Sequence, residues 1–110
     1  MASNGFLGEF EQMVLLAILQ GRDHANAYEV RRELEASANR SVSKGAFYTT
    51  LDRMERKGYL TWVTRPREGG PSPLPQRHFT VTPSGLEELR RSRSALMNLW
   101  RDLDEFLETP

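Results

Sequence analysis

At 110 residues the chain is the size of one ordinary domain, and its apolar fraction of 38% with a charged fraction of 27% excludes a disordered, self-repelling polymer. The formal net charge of zero hides a segregation: between Asn39 and His78 eight Lys/Arg stand against three Asp/Glu, whereas from Pro83 onward four Arg meet six acids, so the middle of the chain has the positive charge that phosphates attract. With no cysteine, and only His24 and His78 far apart in sequence, there is no basis for a disulfide, a thiolate metal site or a cysteine or histidine catalytic constellation; neither an enzyme, a metal nor a cofactor is expected.

The longest apolar run, Met13 to Leu19, has seven residues, against the roughly 20 that cross a bilayer. No basic-then-apolar leader opens the sequence, and the expectation is a cytoplasmic protein with no membrane partner. Glu9 to Gln20 begins with acids, continues almost entirely apolar and stops at Gly21, which predicts a first helix, wet at its start and buried later. Asn26 with Glu29 three residues on has the form of a helix cap, and Ala27, Val30, Leu34 and Ala38 then recur at helical spacing. Within this second helix Tyr28 either touches a phosphate or packs on the next helix, and packing is the expectation.

A polar turn follows, and Ser43 is a good cap for a third helix. At 100° per residue Phe47, Leu51 and Met54 form one narrow stripe that must face a core, leaving Gly45, Tyr48, Thr49, Asp52, Arg53 and Arg56 opposite. Gly58 ends the helix. Tyr59 to Arg65 and Gln76 to Thr82 alternate as two strands, with Trp62 expected in the core; their connection, Pro66 to Pro75, holds four of the six prolines and Gly69-Gly70.

Thr82-Pro83 is a favoured helix start, a capping hydroxyl before a proline at the first helical position. From there Leu86, Leu89, Leu96, Trp100, Leu103 and Leu107 recur in steps of three and four, interrupted where Arg93 occupies the seam, a coiled-coil register over about three heptads. One long helix toward Glu108 is expected, about 38 Å over its 25 or so residues. Its apolar surface, widened by Met97, Leu99 and Phe106, is more than one subunit can cover, so a second copy is implied.

Three helices, a two-stranded wing and a long C-terminal helix, with a basic third helix and hairpin, make a mainly α chain with the layout of a winged helix-turn-helix. At this point the residues resemble the PadR family of bacterial regulators. LGEFEQMVLLAIL resembles that family's first helix and AYEVRRELE its second; SVSKGAFYTTLDRMERKGYL is similar to its recognition-helix signature around Gly45, Tyr48, Leu51, Arg53, Glu55, Gly58 and Leu60, and RHFTVTPSGLEEL to the second wing strand leading into the dimer helix. The single C-terminal helix is similar to the family's compact subfamily. The resemblance implies residues 1–82 as a DNA-binding domain, residues 83–110 as a dimerisation helix, and a homodimeric regulator, usually a repressor, of a double-stranded operator. Two departures are visible: Pro71 to Pro75 intervene in the wing, and Ala27 stands where relatives often carry glycine.

On that reading the DNA-contacting candidates are Ser43, Lys44, Tyr48, Thr49, Arg53 and Arg56 around the third helix and Arg65, Arg67 and Arg77 on the hairpin. The competing account is a solvated helix face, a plain cap at Ser43 and arginines kept for solubility. The dimer candidates are Leu86, Leu89, Leu96, Trp100, Leu103 and Leu107. Trp100 at a seam packs poorly against its own symmetry mate, so Met97 and Trp100 are candidates to line a cavity for a small hydrophobic or aromatic effector. The alternative function is a winged-helix protein-interaction module that does not read DNA.

Overall fold

The structure, a computed structural model, describes residues 5–66 and 74–108. Its elements run α1 (Glu9–Gly21), a 3-10 turn (Arg22–His24), α2 (Ala27–Ala38), α3 (Lys44–Arg56), β1 (Leu60–Arg65), β2 (Gln76–Val81), α4 (Pro83–Leu99) and α5 (Asp104–Leu107).

The helix starts are set by short-range capping. Asn26 Oδ1 accepts from Glu29 N–H, Ser43 Oγ from Ala46 N–H and Thr82 Oγ1 from Gly85 N–H, each satisfying one backbone donor that the helix itself leaves unpaired. α2 ends where Asn39 takes the left-handed conformation, with Arg40 N–H returning to Leu34 O, a closure that asparagine tolerates. This turn sets the angle at which α3 leaves α2, and Arg31 braces it by donating to Val42 O at 3.1 Å.

Phe47, Leu51 and Met54 point inward from α3 as their spacing predicts, and meet Val14, Leu15 and Ile18 of α1, Val30 and Leu34 of α2, and Leu60, Phe79 and Val81 of the hairpin. β1 and β2 are antiparallel, with Leu60 opposite Val81, Trp62 opposite Phe79 and Arg65 opposite Gln76. Leu60, Trp62, Phe79 and Val81 therefore share the inward face; Trp62 is half-buried against the core. Phe79 N–H also donates to Ala25 O, and Asn26 bridges His78, so the chain just before α2 pairs with β2 at one point and ties the wing to the helices.

Two expectations are corrected. The opening turn of α1 is not uniformly wet: Glu11 is only 8% exposed, because it is packed and hydrogen-bonded toward α3. The C-terminal helix does not run unbroken to Glu108. α4 stops at Leu99 after 17 residues, about 26 Å; a turn follows in which Asp102 has φ 60°, and α5 has four residues. Leu89 joins the core and Leu86 packs against it, whereas Leu99, Phe106 and Leu107 are exposed. Helical propagation draws most of its stability from packing, and from Leu99 onward the large apolar side chains Leu99, Trp100, Phe106 and Leu107 stay exposed.

Candidate nucleic-acid interface

The outward face of α3 is a stripe of Gly45, Thr49, Asp52 and Arg56, all exposed at helical spacing. A Cβ at Gly45 would meet nothing within 4 Å, so the helix is open there to close approach. Tyr48 is half-buried, its ring set edge-on to Phe47 at 5.6 Å. Arg56 has no ion-pair partner among the described residues, Asp52 included. Ser43 spends its hydroxyl on the cap of α3; Lys44 is exposed beside it.

Lys44 and Tyr48 line a cleft of about 610 Å³ together with Tyr28 and Arg31 of α2 and Arg77 of β2. This cleft runs between the start of α3 and the wing, so three elements converge on one surface with three cations and two phenols. Tyr28 does not pack on α3 as expected: it is 64% exposed, with the Arg32 guanidinium 5.8 Å from its ring centre. With Arg31 and Arg32 beside it, Tyr28 forms a basic, aromatic shoulder; the two arginines carry no signal of their own in the sequence, where only Tyr28 on the polar face of the second helix points to a phosphate contact.

The wing arginines part company. Arg77 stacks over Trp62 at 4.2 Å and projects into the cleft with Lys44. Arg65 donates to Asp23 O at 3.2 Å and lines a second cleft with His24 and His78, on the other face of the hairpin from Arg77. The difference follows from register: Arg77 is opposite Thr64, not Arg65. Arg67 lies outside the described residues.

Arg53 is engaged within the chain. Its Nε donates to Glu11 Oε2 at 3.0 Å, Lys57 Nζ reaches the same oxygen at 3.4 Å, and Gly8 N–H donates to Glu11 Oε1 at 3.2 Å. Burial pushes the Glu11 carboxyl up, but the Arg53 hydrogen bond, the Gly8 amide and the Lys57 charge outweigh it and hold the carboxyl below its ordinary range.

A different surface lies between α1 and α4, where a groove of about 420 Å³ is lined mainly by apolar groups, among them Leu16 and Leu19 of α1 and Leu86, Leu96, Met97 and Trp100. Both effector candidates, Met97 and Trp100, thus meet in one groove, which Arg93 also lines. Leu16 and Leu19 lie in the part of α1 expected to be buried, yet both are exposed, since an uninterrupted apolar run does not say which side faces in. Leu103 is half-buried and Leu107 exposed, and neither lines this groove.

Among the described residues no helix is long and apolar enough to cross a membrane, and no cluster of His, Cys, Asp or Glu is arranged to hold a metal ion. Residues 15–91 match the model of the transcriptional regulator PadR-like family. The fold is similar to that of a PadR-like transcriptional regulator from Bacillus cereus, with a TM-score of 0.71 at 22% identity over 92% of this chain and 93% of that one. It is also similar to a PadR family transcription regulator from Clostridium difficile, at 0.66 and 21% over 90% and 99% of the two chains. A third likeness is to a PadR family transcriptional regulator from Eggerthella lenta, at 0.64 and 23% over 93% and 88%. No curated protein matches the chain. With the family model spanning most of its length, from α1 into α4, the chain belongs to the PadR-like family of transcriptional regulators, DNA-binding winged-helix proteins rather than enzymes.

Proposed function

We propose that the chain is a homodimeric repressor that binds a pseudo-palindromic operator in the bacterial cytoplasm. The observation that carries the reading is the convergence of Tyr28, Arg31, Lys44, Tyr48 and Arg77 on one cleft, continuous with the exposed stripe of α3. In this arrangement α3 enters the major groove, where Thr49 and Arg56 reach base edges, while α2 and Arg77 hold the flanking phosphates. Residues 1–82 form the DNA-binding part and residues 83–110 the dimerisation part.

A second copy covers the groove between α1 and α4, supported by the exposed Leu16, Leu96 and Met97. A small flat apolar effector stacks against Met97 and Trp100 at that interface and releases the operator by favouring one arrangement of the two subunits over the other. Titration of aromatic dyes in a Trp62→Phe background, followed by Trp100 fluorescence, is expected to show saturable quenching that a dimeric Trp100→Ala variant loses.

Selection of duplexes from a random pool tests the main reading. Enriched sites are expected to be two-fold symmetric with half-site centres about 10 base pairs apart, bound by a dimer in sedimentation. Recovery of no preferred sequence identifies the domain as a protein-interaction module instead.

A further inference from the structure

Arg53 in the last turn of α3 and Lys57 at its C-cap are four residues apart, and both end on one carboxylate 42 and 46 residues away in sequence. That carboxylate belongs to Glu11, in the first turn of α1, a helix end that favours negative charge. Its other oxygen is fixed by Gly8 N–H. Two of the three cations in the last turn of α3 and its cap thereby share one intramolecular counter-charge, and of the three Arg56 alone has no ion-pair partner among the described residues.

A recognition helix with free cations at its end gains affinity for any duplex, because each phosphate neutralised releases counterions regardless of sequence. Non-specific sites vastly outnumber the operator, so such contacts lower the ratio on which regulation depends. We propose that Glu11 is a positioning residue for operator selectivity, withholding Arg53 and Lys57 from the phosphate backbone and leaving discrimination to the stripe from Gly45 to Arg56. The proposal rests on the DNA-binding reading above. It also reverses the role expected of Arg53: that guanidinium braces α3 against α1 and does not touch DNA while Glu11 is charged.

The test is the salt dependence of binding, by fluorescence anisotropy, to the selected operator and to a random duplex. Glu11→Gln keeps the shape and a hydrogen-bonding oxygen but removes the charge. Its binding to the random duplex is expected to strengthen several-fold at low salt, with a log-log slope steeper by about 0.9 for each phosphate gained, hence by about one to two units per subunit. The operator-to-random ratio falls several-fold. Lys57→Ala, an exposed substitution that spares the core, supplies the second arm: in the native background the slope stays within half a unit, and in the Glu11→Gln background it drops by about one.

A folded Glu11→Gln protein with native slope and native ratio overturns the proposal and leaves Glu11 a purely structural residue. A full unit of slope lost by Lys57→Ala alone also overturns it, since that lysine would already be spent on phosphate. Failure of the native protein to bind any duplex removes the DNA-binding reading and the proposal together, whereas binding with unaltered slopes removes the proposal only.

Discussion

A methyl group on Gly85 would stand 2.2 Å from the carbonyl oxygen of Tyr59. The start of α4 is thus pressed onto the junction between α3 and β1, where Thr82 also donates to Gly58 O at 2.6 Å and Thr82 N–H reaches Tyr59 O at 3.0 Å. The start of α4 is latched directly behind the end of α3. Gly85→Ala must push backbone away from backbone, and a loss of about 1–3 kcal/mol is expected in urea denaturation. Ser84→Ala, an exposed change one residue earlier, serves as the control and stays near native stability.

Acid weakens the same region through Glu11. Its carboxyl titrates lower in the folded chain than in the unfolded one, so its stabilisation is fully present above the ordinary glutamate range, near pH 4.3, and is lost as pH falls through the folded value. Denaturation midpoints of the native protein are therefore expected to drop more steeply below about pH 4 than those of Glu11→Gln, the two curves converging in acid. Parallel curves across that range contradict the assignment.

The two described wing arginines give unequal losses. Arg77→Ala removes a cation stacked on Trp62 in the cleft with Lys44, and operator binding is expected to lose about one unit of salt slope, as it does in Lys44→Ala. Arg65→Ala has the smaller effect, because its guanidinium is already donated to Asp23 O on the far face of the hairpin. Equal losses at 65 and 77 would place both faces of the wing against DNA.

Asp102 pays for its left-handed backbone with about 1 kcal/mol, which glycine does not. Asp102→Gly is expected to favour the turn between α4 and α5, and Asp102→Ala, the better helix former by several tenths of a kcal/mol, to favour a continuous helix. Far-UV circular dichroism should rank alanine above aspartate above glycine in helical content. Identical spectra would mean that residue 102 does not set the break.

Local features were legible in the sequence because their causes are local. The caps at Asn26, Ser43 and Thr82 act over three residues, and the inward stripe of Phe47, Leu51 and Met54 is fixed by helical period alone. Relations across the chain were not. Nothing near Arg53 in sequence announces Glu11, and the faces taken by Arg65 and Arg77 depend on a hairpin register that a ten-residue connection leaves open. The heptad pattern read correctly which side chains of the last helix are apolar, but it carries no information on what lies against them, and so overran the end of α4 at Leu99.

The hydrogen bond from Phe79 to Ala25 ties the wing to the helices, and the pair Arg65 and Gln76 closes the ladder where the connection begins. Registration of the hairpin is thereby separated from the ten residues, Pro66 to Pro75, that join its strands. Doubling the length of such a connection costs only about 0.6 kcal/mol in closure entropy. The connection is consequently the part of this chain most open to evolutionary drift: its length and charge can change while the register of β1 and β2 and their attachment to the helices stay inherited.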